Sequence, residues 1–151
     1  MNGTPDRVLD DLDQRALVPP SGLREFRSRR SSEEVQLALE AGGIRCFLLD
    51  LRGVSDKAGL LEVWAASVGA PDRVGWNWDA IDEAMRDVSW ARAERYVVIV
   101  TGGGAGASAD PRAWDTALDI LRTAVAEWDS RGIPLLVLVR GVPLVDHQER
   151  R

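Results

Sequence analysis

Reactive and metal-binding side chains are scarce in this 151-residue chain, which contains one cysteine and one histidine. Cys46 has no second cysteine for an intramolecular disulfide, and one Cys with one His is too few for a zinc site of the usual ligand spacing. Cys46 falls in an apolar segment, where we expect an inert core thiol, and His147 falls in a polar tail. The usual parts of nucleophilic or acid–base catalysis are therefore missing, and we expect no enzymatic activity, no metal and no cofactor.

An excess of basic residues and a long apolar run are also lacking. The chain has 19 Lys and Arg residues against 24 Asp and Glu, for a formal net charge of -5. Since nucleic-acid backbones require clustered positive charge, this balance disfavours direct contact with nucleic acid and favours a basic protein partner. No stretch approaches the about 18 consecutive apolar residues that a transmembrane helix needs. The apolar run that follows a basic N-terminus in a signal peptide is also missing. We therefore expect a cytoplasmic protein without membrane contact.

The hydrophobic pattern predicts an α/β fold with a small parallel sheet. Short apolar runs predict three core strands at 44–51, 96–101 and 133–139, and an alternating stretch at 23–28 predicts a fourth strand at the edge. Apolar residues at helical spacing predict helices from Ser31 to Gly42, Ser55 to Val68, Asn77 to about Val88 and Pro111 to about Ser130. Because strands that alternate with helices are joined by right-handed crossovers, the sheet should be parallel with helices packed on it.

The chain divides into an arm, a domain and a tail. Residues 1–21 are polar and interrupted by prolines, which predicts a flexible N-terminal arm. Residues 22–141 are expected to form a single domain, in which 22–43 is a strand-helix extension, and 142–151 is a polar tail.

A glycine-rich segment at residues 101–107 formally satisfies the pattern G-x-G-x-x-A. A dinucleotide loop needs such glycines to open directly into a helix whose N-terminal amides hold the pyrophosphate. Here the predicted helix begins only at Pro111, and Asp110 in front of it would repel a phosphate. The segment is therefore predicted to be a flexible loop, and nucleotide binding is the less favoured hypothesis.

The segment from Pro71 to Trp90 predicts an amphipathic helix with an acidic outer face. Gly75 permits a turn and Asn77 is a good N-cap. The apolar residues share one face, and the opposite face carries Asp79, Asp82, Glu83 and Arg86. Asp79 and Glu83 form a like-charge pair one turn apart, which costs an isolated helix a few tenths of a kcal/mol. This face is either a solvated surface, with Arg86 neutralising Glu83, or a surface that presents carboxylates to a cationic pocket.

The motif Gly75-x-Asn77-Trp78-Asp79-Ala80-Ile81, followed by two acidic residues and Met85, resembles the barstar family of ribonuclease inhibitors. The order of the surrounding elements is also similar, and the resemblance covers about residues 44–141. It implies an intracellular inhibitor that occludes the active site of a basic microbial ribonuclease or ribonuclease toxin, with carboxylates in place of RNA phosphate. It further implies a monomer that forms a 1:1 complex.

The resemblance also implies which residues contact the partner. They are Arg73, Val74, Gly75, Trp76, Asn77, Asp79, Asp82, Glu83, Arg86, Trp90 and Glu127. Arg73 and Val74 stand where barstar has tyrosines, which makes inhibition of barnase itself doubtful, and either Trp76 or Trp90 would supply an aromatic anchor if exposed. The alternative hypothesis is an adaptor whose acidic helix docks another basic protein without inhibiting it.

Overall fold

Four strands and five helices make up the part of the chain that the structure describes. The computed structural model describes residues 21–67, 77–86, 95–142 and 144. In chain order the elements are β1 (Gly22–Glu25), α1 (Ser32–Ala41), β2 (Arg45–Asp50), α2 (Lys57–Ser67), α3 (Trp78–Arg86), β3 (Tyr96–Thr101), α4 (Gly104–Ala109), α5 (Pro111–Ser130) and β4 (Leu135–Val139). The predicted α/β class is confirmed.

All four strands belong to one parallel sheet with the order β1-β4-β3-β2. The N-terminal stretch supplies an edge strand, as predicted, and it pairs with the last strand of the chain. Strand β2 was predicted as a core strand because its apolar run indicates burial on both faces, and it forms the opposite edge of the sheet. Its side chains are nevertheless covered on both sides, since helices pack over both faces of the sheet at this edge.

The path of the chain explains why helices cover both faces. From β1 the chain crosses the sheet to β2, and it then returns stepwise through β3 to β4. Right-handed crossovers that travel in opposite directions place their helices on opposite faces. Helix α1 accordingly packs on one face through Val35 and Leu39, whereas α2, α3 and α5 enclose the larger core on the other. Helix α3 packs on α5 and α2 and so forms an outer layer of that face.

Side chains of α1 protect the free edge of β2. The Cys46 amide donates to the Glu40 carboxylate at 3.1 Å, and the Gln36 side-chain amide donates to the Cys46 carbonyl at 2.9 Å. Unpaired backbone groups at a sheet edge can recruit a strand from another chain. At Cys46 these groups are already satisfied, so α1 blocks strand addition near the start of this edge.

Helix starts follow local capping chemistry. Ser31 and Glu34 form the predicted capping box, and the Asp110 side chain accepts a hydrogen bond from the Ala113 amide at 3.1 Å. Helix α2 starts later than predicted, because the side chain that accepts from the Gly59 amide at 2.8 Å is that of Asp56 and not Ser55. The apolar residues at helical spacing in α5 form its inner face: Leu118, Leu121 and Ala124 are buried, and Val125 is half-buried.

The glycine-rich segment is a short helix and not the predicted flexible loop. Helix α4 follows Gly103, whose carbonyl accepts from the Ala107 amide at 2.9 Å, and alanines at alternate positions favour the helical backbone. The cavity that Gly103, Gly106 and Trp114 help to line has a volume of about 20 Å³. Such a volume holds about one water molecule, so a dinucleotide does not fit there.

Gly102 is required where β3 leads into α4. Its φ is +76°, and a Cβ atom at this position would lie 2.8 Å from the Arg52 amide nitrogen and 2.9 Å from the Arg52 Cα. Gly132 has a similar φ of +78°, but nothing lies within 4 Å of its Cβ position. The two glycines therefore share the same backbone conformation and differ in the space around them.

We expect Gly132→Ala to lower the free energy of unfolding by about 1 kcal/mol, the cost of a left-handed backbone for a non-glycine residue. Gly102→Ala should cost about 2 kcal/mol more, because the backbone of Arg52 must also move. Urea unfolding followed by tryptophan fluorescence measures both values. Equal losses for the two variants would show that the close approach to Arg52 is unimportant.

Candidate protein-binding face

Helix α3 begins where the sequence predicted. The Asn77 side-chain oxygen accepts from the Ala80 amide at 2.8 Å, and its backbone carbonyl accepts from the Ile81 amide at 3.1 Å. Asn77 is thus the N-cap of α3, and its exposed side chain stands at the start of the acidic helix. The structure describes α3 over Trp78–Arg86, and Val88 lies outside the described residues.

The inner face of α3 is held by two tryptophans. Ile81 and Met85 on this face are 0% and 2% exposed. The Trp128 indole N–H donates to the Met85 backbone carbonyl at 2.6 Å, and the Trp64 indole N–H contacts the Met85 sulfur at 3.2 Å. The Met85 carbonyl lies near the C-terminal end of the described part of α3. Trp128 therefore ties this part of α3 to α5.

Trp78 lies at the margin between the two faces. Its ring packs edge-on against Trp64, with 6.5 Å between ring centroids, and Lys57 Nζ lies 5.9 Å from the centroid of the Trp78 ring. The residue is half-buried and contacts the larger core. It therefore belongs to the packed side of α3, as its spacing predicted.

The outer face carries two carboxylates without a counter-ion. Asp79 and Glu83 are both exposed, and within residues 21–67, 77–86, 95–142 and 144 neither forms an ion pair. Their i, i+4 spacing places them on one side of the helix, one turn apart. Asp79 also lies in the first turn, where the helix dipole favours negative charge. This side of α3 is therefore a small, exposed region of negative potential.

The solvated-face interpretation proposed that Arg86 neutralises Glu83, but the structure pairs Arg86 with a different carboxylate. Its guanidinium nitrogen lies 2.9 Å from the Asp82 carboxylate, one turn earlier on the helix. An acid that precedes a base by four residues is a favourable arrangement on a helix surface, which explains the choice of partner. The side chains of Asp82 and Arg86 are 29% and 44% exposed, so the pair is only partly shielded from water.

Glu127 is also paired within the chain. Its carboxylate lies 2.9 Å from the guanidinium of Arg131, and the residue is half-buried on α5. It precedes Trp128, which contacts the last turn of α3. The structure therefore places Glu127 on the end of α5 that packs near the end of α3.

Five other residues that the sequence predicted as contacts lie outside the described residues. They are Arg73, Val74, Gly75, Trp76 and Trp90. Of the six predicted contacts that are described, five lie on or at the start of α3 and Glu127 lies on α5.

Two arginines that follow strands, Arg52 and Arg140, are paired within the described part of the chain. Arg52 binds Asp50 at 2.7 Å and Glu33 at 2.9 Å, and its hydrogen bonds hold the pKa of Asp50 below the usual value. Arg140 donates to the Ser32 hydroxyl and to two backbone carbonyls at 2.8–2.9 Å, and burial lowers its pKa. Arg52 joins the end of β2 to the first turn of α1, and Arg140 joins the end of β4 to the segment before α1, so both charges serve the fold.

The part of the chain that the structure describes contains no group of three or more His, Cys, Asp and Glu side chains arranged to hold a metal ion. Across the same ranges, no helix combines the length and apolar character needed to cross a membrane. Cys46 is 3% exposed, and burial raises the pKa of its thiol to about 12.

Residues 44–140 match the family described as Barstar (barnase inhibitor), and the chain belongs to the barstar family. The barstar family is a family of inhibitors and not of enzymes. Neither a search of curated proteins nor a search of solved structures returned a match. Strand β1 and helix α1 precede the matched region, so the edge strand and the helix on the second face are additions to it.

The Trp128 hydrogen bond should matter more to stability than the Trp64 contact. Trp128→Phe removes the buried hydrogen bond to the Met85 carbonyl and is expected to cost about 2 to 4 kcal/mol, including the loss of packing. Trp64→Phe is the matched control, since it removes a similar volume but only a weak N–H···S contact, and it should cost less. Urea unfolding compares the two, and a larger loss for Trp64→Phe would contradict this assignment.

Cys46 should resist thiol reagents in the folded protein. Because its pKa is raised, the thiol stays protonated and unreactive at pH 8, where an ordinary cysteine reacts as thiolate. We expect reaction with a chromogenic disulfide reagent to require unfolding, and to become rapid in concentrated urea. Rapid labelling of the native protein at pH 8 would show that the β2 edge opens readily.

Proposed function

We propose that this protein is a non-catalytic inhibitor that binds a basic microbial ribonuclease, or a ribonuclease toxin, in a 1:1 complex in the cytoplasm. Residues 22–141 act as one barstar-like domain, and the outer face of α3 enters the active site of the nuclease. The observation that carries this proposal is the exposure of Asp79 and Glu83 on α3 with no counter-ion among the described residues.

The two carboxylates are suited to replace the phosphate groups of RNA. A ribonuclease active site concentrates positive charge to bind the RNA backbone, and complementary potentials speed association and select the partner. Each carboxylate can accept charge-assisted hydrogen bonds from arginine or lysine. Membership of the barstar family supports this interpretation because the family is described as a barnase inhibitor.

The rigidity of α3 favours tight binding. The helix is capped at Asn77, buried at Ile81 and hydrogen-bonded to Trp128 at Met85. Side chains on a fixed helix lose less conformational freedom on binding than side chains on a mobile loop. In the proposed complex, Asn77 adds a polar contact at the start of α3, and residues 73–76 and Trp90 surround the helix.

Removing either exposed carboxylate should weaken inhibition without unfolding the protein. We expect Asp79→Asn and Glu83→Gln each to weaken binding at least about tenfold, since truncating one partner of a buried charge pair costs about 2 to 5 kcal/mol in the barnase–barstar system from which that range comes. Thermal unfolding should change little, because both side chains are exposed. Binding is measured by titrating the protein into an RNA-cleavage assay with purified basic ribonucleases, barnase and polymorphic toxins included.

The matched control is Asp115→Asn. Asp115 is an exposed carboxylate on α5, 13 residues before Trp128, which places it about 20 Å along the helix from Trp128. It changes the net charge equally and should leave inhibition unchanged. Complex formation without loss of RNA cleavage would favour an adaptor, and equal binding by Glu83→Gln and the parent would reject the assigned face.

A further inference from the structure

Two of the four carboxylates predicted to meet a basic partner already have a cation of their own. Asp82 pairs with Arg86 and Glu127 pairs with Arg131, each at 2.9 Å and each with the arginine four residues later on the same helix. Asp79 and Glu83 have no such counter-ion among the described residues. Among the described residues, the four predicted contact carboxylates therefore comprise two without an ion pair, Asp79 and Glu83, and two that are paired with an arginine, Asp82 and Glu127.

The two ion pairs are open to solvent and open to competition. The carboxylates of Asp82 and Glu127 are 29% and 36% exposed, and their arginines are 44% and 45% exposed. Ion pairs of this exposure are weak, because water and salt screen them. A cation of the partner could replace either arginine, but it would have to compete with a guanidinium that is held at high effective concentration on the same helix.

Arg86 also opposes a basic partner directly. It lies three residues after Glu83, and this spacing makes the two residues neighbours on the helix surface. Its positive charge therefore reduces the negative potential around the free carboxylate that a basic partner approaches. Because Arg86 is itself exposed, burial does not conceal this charge from the partner.

We infer that Arg86 and Arg131 are internal counter-ions that attenuate binding and narrow the range of ribonucleases that the protein accepts. This inference rests on the proposed function. It makes Asp79 and Glu83 the carboxylates offered to every basic active site, whereas Asp82 and Glu127 are available only to a partner that displaces the arginines.

Neutralising either arginine should therefore strengthen binding, the reverse of the usual effect of truncating an interface residue. We expect Arg86→Gln to raise the association rate with a basic ribonuclease roughly threefold at low salt, as the added negative potential predicts. Arg131→Gln should act in the same direction. Both gains should shrink at 0.5 M NaCl, where charges are screened within about 5 Å.

The experiment is stopped-flow association of each variant with a basic ribonuclease that the parent protein inhibits, barnase being the first probe. Arg122→Gln is the matched control, because Arg122 is a half-buried arginine paired with Asp119 on α5 and its loss changes the net charge equally. A further variant adds Asp82→Asn to Arg86→Gln. The gain should disappear in that variant, because the carboxylate that Arg86→Gln released is removed.

The outcomes separate this inference from the proposed function. Faster association of Arg86→Gln, with no gain for Arg122→Gln, supports the inference. If the parent inhibits the ribonuclease and Arg86→Gln binds equally or more weakly, the inhibitor stands and Arg86 is not an attenuating counter-ion. If the parent inhibits no basic ribonuclease, the proposed function fails and this inference fails with it.

Discussion

The hydrogen bond from Trp128 to the Met85 carbonyl is the contact on which the candidate binding face depends. The described part of helix α3 is 9 residues long and packs chiefly on helices α5 and α2. Since short helices are unstable in water by themselves, tertiary packing must hold it. Ile81 and Met85 are buried, and the hydrogen bond from Trp128 reaches the Met85 carbonyl at 2.6 Å. Without this anchorage, Asp79 and Glu83 would have no fixed geometry to present.

This arrangement separates binding from folding. The sheet and its two cores are complete without the outer face of α3, because only the inner side of that helix enters the larger core. Arg52 and Arg140 instead use their charges in contacts that join the ends of β2 and β4 to α1 and to the segment before it. The outer face can therefore carry a like-charge pair, which a structural surface would avoid, at a cost of only a few tenths of a kcal/mol.

Features encoded by neighbouring residues were predictable from the sequence. The caps at Ser31, Asn77 and Asp110 use side chains three residues from their partners, and β3 and α5 have the predicted bounds. Strand order depends instead on pairing between distant segments. An apolar run such as that of β2 shows that both faces are covered, but it does not distinguish a central strand from an edge strand that has helices on both sides.

The candidate site shows the same division between local and distant information. Periodicity identified the exposed face of α3, but it could not choose between Asp82 and Glu83 as the partner of Arg86, since both spacings allow contact. Nor could it find the Trp128 contact, which joins residues 43 positions apart, although a buried indole N–H usually has a hydrogen-bond partner. The charge that a partner meets is therefore not the count of acids in the helix. It is the number of acids that form no ion pair with the protein's own arginines, and in the described part of α3 these acids are Asp79 and Glu83.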